Sequence, residues 1–183
     1  MNDTELIESF KSGNADALEV LIKKYQAPLY GFIISYTKSE ENAADIFQDI
    51  FLKLVENPAV FKSGNFKSWL FTVARNKCMD HFRANNGKTV SIDEEIEEGL
   101  TLESVLASDE PLPLDRMLTG AENDRLYAVF EELSPEQKEV IRLKEEFSFK
   151  EISEMLDCPL GTVLARANRG YKKMRQILEE EML

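Results

Sequence analysis

From Asp3 to Arg83 the apolar residues recur three and four positions apart, the spacing that places side chains on one face of an α-helix. Leu6, Ile7 and Phe10 predict a short first helix ending near Gly13, and Leu18, Leu21, Ile22 and Tyr25 predict a second. Pro28 has no backbone N–H to give a helix interior. It is expected to interrupt the second helix and open a third bearing Leu29, Phe32, Ile33 and Tyr36. Ser39 caps the next helix, in which Ile46, Phe47, Ile50, Phe51 and Leu54 form a core stripe and Asp45, Gln48, Asp49 and Lys53 lie largely between its members. A loop, Phe61-Lys62-Ser63-Gly64-Asn65-Phe66, then leads into a helix carrying Trp69, Leu70, Val73 and Phe82. Residues 1–87 make a first helical domain.

The helical period then stops. Residues 88–120 hold Glu94-Glu95-Ile96-Glu97-Glu98 and Pro111-Leu112-Pro113, which reads as a mostly unstructured acidic linker. A second domain, 121–183, carries two capping boxes in succession, Ser134-Pro135-Glu136-Gln137 and Ser148-Phe149-Lys150-Glu151, which bracket one short helix. After the turn Asp157 to Gly161 comes a long helix with Val163, Ala167, Gly170, Met174 and Leu178 on one side. Helix, tight turn and a second helix with a basic outer face is the helix-turn-helix arrangement, whose second helix enters the DNA major groove. A chain of 183 residues suits one or two domains, and its eight glycines and six prolines are too few for a turn-dense β architecture. The expected fold is all-α: two small helical domains joined by a flexible acidic linker.

A net charge of −12 predicts repulsion from nucleic acid if it is spread evenly, and it is not. The first domain carries −1, the linker −7 and the second domain −4, while Gly161 to Arg175 holds five basic residues and no acid. Cys78, Cys158 and His81 are the only cysteines and histidine, so neither a disulfide framework nor a metal-site spacing is present, and no metal or other cofactor is expected. His81 alone makes no metal site. No phosphate loop or nucleophile motif suggests an enzyme. The sequence lacks a signal-peptide pattern and any stretch near the ~18 apolar residues of a membrane span, so a cytoplasmic protein without membrane insertion is expected.

Ala44 to Leu54 resembles region 2.2 of bacterial RNA polymerase sigma factors, and Trp69 to Asn76 resembles the region 2.3 to 2.4 helix of the same family. Leu133 to Gln137, Gly161-Thr162-Val163 and the stretch up to Arg175 resemble region 4. Two such regions with a short connector are similar to the extracytoplasmic-function group. The resemblance implies that Asp45, Gln48, Asp49 and Lys53 dock on core RNA polymerase, with Phe47, Ile50 and Phe51 left as core. It implies that the loop Phe61, Lys62, Ser63, Gly64, Asn65 and Phe66 captures an unpaired base of the promoter minus-10 element. Asn76 would contact a base, and Arg75, Lys77, His81 and Arg83 would contact phosphates, whereas Trp69 belongs to the core. For the minus-35 element it implies Thr162, Leu164, Ala165, Arg166, Asn168, Arg169, Lys172 and Lys173. Leu164 and Ala165 replace the basic residue and serine usual after Gly-Thr-Val; they can touch a thymine methyl but cannot donate to DNA.

The implied function is promoter-specific initiation by core polymerase, which performs all nucleotide chemistry, with promoter DNA and an anti-sigma factor as further partners of a chain that is monomeric when free. The connector would lie in the polymerase's cleft and RNA exit path, where an acidic chain can stand in for RNA. A sigma-like mimic that sequesters an anti-sigma factor without binding DNA is the alternative; the cations Arg75, Lys77, Arg166 and Arg169 count against it. A helix-turn-helix regulator of duplex DNA alone leaves the first 87 residues unexplained.

Overall fold

Asn2 starts the first helix by a reciprocal cap: its side chain accepts from the Glu5 N–H at 2.9 Å, and the Glu5 carboxylate accepts from the Asn2 N–H at 2.8 Å. In the computed structural model, which describes residues 2–86 and 120–180, helix α1 (Asp3–Lys11) follows, burying Leu6 and Ile7. Gly13, at φ +101, turns the chain into α2 (Ala15–Thr37).

Helix α2 runs through Pro28, contrary to the expected break. Leu18, Leu21, Tyr25, Leu29 and Phe32 keep helical spacing across the proline, and all five are buried. A proline inside a helix costs about 3 kcal/mol, whereas each large apolar side chain gains about 1.5–3 kcal/mol on burial. Packing wins, and the expected third helix is the second half of α2.

Ser39 caps α3 (Glu40–Glu56), where Ala43, Ile46, Ile50, Phe51 and Leu54 are buried. Phe47 is half-buried, its ring centroid 6.3 Å from Tyr30 and 5.0 Å from Phe51. A short 3-10 turn, Pro58–Val60, precedes the loop, and α4 (Phe66–Asn86) follows it. Phe66, Leu70, Phe71, Ala74 and Cys78 face the core, but Phe82, expected on the same stripe, is 53% exposed. It lies one turn beyond Cys78, past the packed part of the helix. Helices α2, α3 and α4 pack on one another, and α1 lies against α2 and the 3-10 turn.

The second unit begins with α5 (Gly120–Glu131), a helix that the sequence reading did not delimit, although Leu126, Val129 and Leu133 have helical spacing and are buried. Both capping boxes form, at Ser134 ahead of α6 (Pro135–Lys144) and at Ser148 ahead of α7 (Phe149–Leu156). Asp157, in the left-handed region at φ 49, turns the chain into α8 (Leu160–Glu180), and the Ser153 hydroxyl fastens the turn by donating to the Cys158 carbonyl at 2.7 Å. Leu126, Val129, Leu133, Ile141 and Met174 form a core cluster. The acidic stretch 88–119 lies outside the described residues, and so does its expected lack of structure.

Helices α6 and α8 pack closely at Gly170, where an added Cβ would lie 2.7 Å from Ile141 Cδ1 and 3.4 Å from Gln137 Cβ. Ile141 is itself buried and has little room to move. Gly170→Val is therefore expected to lower stability by about 1–3 kcal/mol, measured by urea unfolding of the full chain. An unchanged midpoint would show that the two helices do not touch there.

Asp3 provides a pH-dependent fastening between α1 and α2. Burial raises its pKa, but hydrogen bonds from Lys24 and Tyr25, with the Lys24 charge, outweigh that and hold the carboxyl below the ordinary carboxylate range. A carboxyl lowered on folding stabilises the protein above the unfolded pKa of about 3.9, and the contribution is lost as pH falls through the folded value. Asp3→Asn should reduce stability at pH 7, and the difference from wild type should shrink toward pH 3. A difference of the same size at both pH values contradicts this.

Candidate polymerase and nucleic-acid interfaces

Because α3 buries one face, its polar residues are left outside. Asp45, Gln48 and Lys53 are exposed and Asp49 is half-buried. Leu52 and Val55, 54% and 52% exposed, extend the row from Asp45 and Gln48 at steps of three and four residues. The sequence reading missed them. Their spacing from Asp45 was the available signal, concealed because apolar residues were assigned to the core.

Asp49 is paired with Lys77 of α4. The Lys77 hydrogen bond, opposed by a smaller burial effect, holds the Asp49 carboxyl below its usual range. Burial works against the Lys77 charge, yet the bond to Asp49 and the carboxylates of Asp49 and Asp80 raise its pKa above the usual lysine value. With 17% of its side chain exposed, Lys77, expected as a phosphate contact, links α3 to α4. At 3.6 residues per turn, Lys77 and His81 share a side of α4 turned away from Asn76 and Arg83. His81 is half-buried, and Asn76 and Arg83 are exposed. Arg75 is half-buried and donates to the Asn76 side chain at 3.3 Å.

The loop before α4 is divided as well. Phe61 and Phe66, expected to meet DNA, are 3% and 2% exposed; they pack edge to face with centroids 5.4 Å apart. Trp69 is half-buried and stacks on Phe66 at 5.6 Å. These rings anchor the loop, because a short irregular segment without its own ladder of hydrogen bonds is held by the apolar area it buries. Only Lys62, Ser63, Gly64 and Asn65 are left at the surface. Gly64 bends the segment at φ +103, and the Asn65 side chain accepts from the Ser68 N–H at 3.1 Å at the start of α4.

In the second unit, α8 presents Lys172 and Lys173 exposed and Asn168 and Arg169 half-buried. Lys173 also donates to the Glu132 carbonyl. Thr162 is half-buried, whereas Leu164, Ala165 and Arg166 are only 2%, 3% and 7% exposed, which takes them from the surface where they were expected. Val163 to Ala167 are five consecutive buried residues and cover more than one helical turn. Burying the apolar Leu164 and Ala165 is favourable at about 25 cal/mol per Å².

Among the described residues no group of His, Cys, Asp and Glu could hold a metal ion, and no helix is long and apolar enough to cross a membrane. The family Sigma-70 region 2 matches residues 21–88, and Sigma-70, region 4 matches residues 123–174, together more than half of the chain. The chain is 29% identical over 179 residues to the ECF RNA polymerase sigma factor SigW of Bacillus subtilis, covering 95% of each. It is 27% identical over 174 residues to the ECF RNA polymerase sigma-E factor of Escherichia coli, covering 93% of this chain and 91% of that protein. In fold it is similar to CnrH, solved in complex with the cytosolic domain of CnrY, at a TM-score of 0.68, 21% identity and 97% coverage of each chain. It is also similar to the sigma factor RpoE of Bartonella quintana, solved with the anti-sigma factor NepR, at a TM-score of 0.61 and 21% identity, covering 88% of this chain and 96% of that one.

Proposed function

Because the chain belongs to the extracytoplasmic-function group of the sigma-70 family, we propose how its surfaces divide the work of promoter recognition. The protein is an RNA polymerase sigma factor, which binds core polymerase and directs initiation at promoters through their minus-10 and minus-35 elements. We assign region 2 to residues 1–87, region 4 to 121–183 and an acidic connector to 88–120. The α3 row of Asp45, Gln48, Asp49, Leu52, Lys53 and Val55 docks on the polymerase. Its polar groups supply orientation, and the exposed Leu52 and Val55 supply apolar area to bury.

Lys62, Ser63, Gly64 and Asn65 take an unpaired minus-10 base, and Asn76, Arg75 and Arg83 track the strand on α4. Unstacking a base costs a few kcal/mol, which contacts to its face and edge offset. On α8, Asn168, Arg169, Lys172 and Lys173 meet minus-35 DNA first. Thr162, Leu164, Ala165 and Arg166 stay with them as the less exposed part of the same set. The polymerase carries out the nucleotide chemistry in the cytoplasm, and an anti-sigma factor binds the free sigma factor, as NepR does RpoE of Bartonella quintana.

One observation supports this division above the others: the apolar stripe of α3 is buried, yet the opposite face carries an unburied row that mixes polar groups with Leu52 and Val55. Transcription of a genomic promoter library by core polymerase, with and without the purified protein, tests the reading. New start sites that require the protein support it. Binding to core without any new start would point instead to a mimic.

A further inference from the structure

We propose that Lys11 of α1 is a positioning residue for the loop Lys62–Asn65, an inference that rests on the assignment of that loop to single-stranded DNA. Helix α1 lies ahead of residue 21, where the match to Sigma-70 region 2 begins. It is nevertheless firmly held. Leu6 and Ile7 are buried, and Asp3 accepts from Lys24 at 2.5 Å and from the Tyr25 hydroxyl. At its far end the Lys11 ammonium donates to the Phe61 carbonyl at 2.8 Å and sits 5.6 Å from the centroid of the Phe61 ring.

Phe61 is where the chain leaves the 3-10 turn and enters the loop. A peptide unit is planar, so fixing the Phe61 carbonyl also fixes the direction of the Lys62 N–H, the first backbone donor of the exposed segment. The other end is fixed by buried Phe66 and by the Asn65 cap on α4. Lys11 and Lys62 line the same cleft, together with Asn57, Pro58, Ala59 and Phe61. The four exposed residues are thus held at both ends before any DNA arrives. A loop already ordered binds more tightly than one that must be ordered on binding. Lys11 therefore acts on capture through the shape of the loop and without touching the strand.

The test uses holoenzyme assembled from the full chain and core polymerase. Its probe is a fluorescent single-stranded oligonucleotide that the wild-type holoenzyme has selected from a random-sequence pool. Lys11→Met should weaken capture about three- to tenfold at an unchanged salt slope, and speed amide exchange at Lys62–Gly64. Lys11→Arg, which can still donate to the carbonyl, should restore capture to within about twofold. Lys62→Glu places a repelling charge on the loop itself and should weaken capture whatever the role of Lys11. Wild-type capture by Lys11→Met, with Lys62→Glu impaired, overturns the proposal and leaves the loop assignment standing. Wild-type capture by Lys62→Glu removes the loop assignment and the proposal with it. A loss in Lys11→Met accompanied by a salt slope smaller by about 0.7 shows that Lys11 holds a phosphate, which overturns the positioning role. A loss that Lys11→Arg does not restore, with a lowered melting temperature in both variants, assigns Lys11 to stability alone and also overturns it.

Discussion

Charge reversal at the exposed end of the α3 row, Asp45→Arg with Gln48→Arg, is expected to lower affinity for core polymerase about 10- to 100-fold at an unchanged melting temperature. Both side chains are exposed, and neither is part of the buried stripe of α3. A like charge brought against a complementary surface costs several kcal/mol, and a 100-fold loss corresponds to about 2.8 kcal/mol. Asp49 requires a different test. Asp49→Arg would break the pair with Lys77 and place a third cation beside Lys77 and Lys53, so binding and folding would change together. Exchanging the partners, Asp49→Lys with Lys77→Asp, keeps an ion pair between α3 and α4 while reversing the charge presented by the row. The exchange should restore most of the stability lost in Asp49→Arg and still bind core weakly. Titration of labelled core polymerase with each variant checks both expectations. If the Asp45 and Gln48 double variant binds as wild type does, α3 is not the docking helix.

The second large effect is expected on α8. Arg169→Ala should reduce minus-35-dependent open-complex formation by about 1–3 kcal/mol at promoters whose matching base pair accepts a bidentate contact, and much less where that pair is changed. Lys172→Ala and Lys173→Ala, at exposed positions, should weaken binding evenly across sequences and lower the salt slope by about one each. Arg169 and the two lysines lie on the acid-free stretch Gly161 to Arg175, so a chain of net charge −12 still has one segment with local attraction for a polyanion. Promoter templates with single substitutions in the minus-35 element, titrated at two salt concentrations, separate the classes. Equal open-complex formation by Arg169→Ala and wild type at every template would show that α8 does not read the promoter.

Local sequence determined a good deal of this protein. Ser39, Ser134 and Ser148 could be identified as helix starts because a cap involves residues only two or three positions apart. The stripe Val163, Ala167, Gly170 and Met174 was legible for the same reason: helical periodicity is a property of consecutive residues, and these four are buried. The tertiary structure decided what local rules could not. Pro28 by itself favours a break, and α2 continues because distant side chains bury Leu21, Tyr25, Leu29 and Phe32 on both sides of it. Phe61 and Phe66 have the composition of a base-stacking platform; packing turned them into the anchors of a loop and left its middle four residues outside. Lys77 could serve a phosphate or a carboxylate, and Asp49, 28 residues away in the chain, takes it. In each case the periodicity of the chain specifies which face a side chain is on, and only the elements packed against that face specify what it meets there.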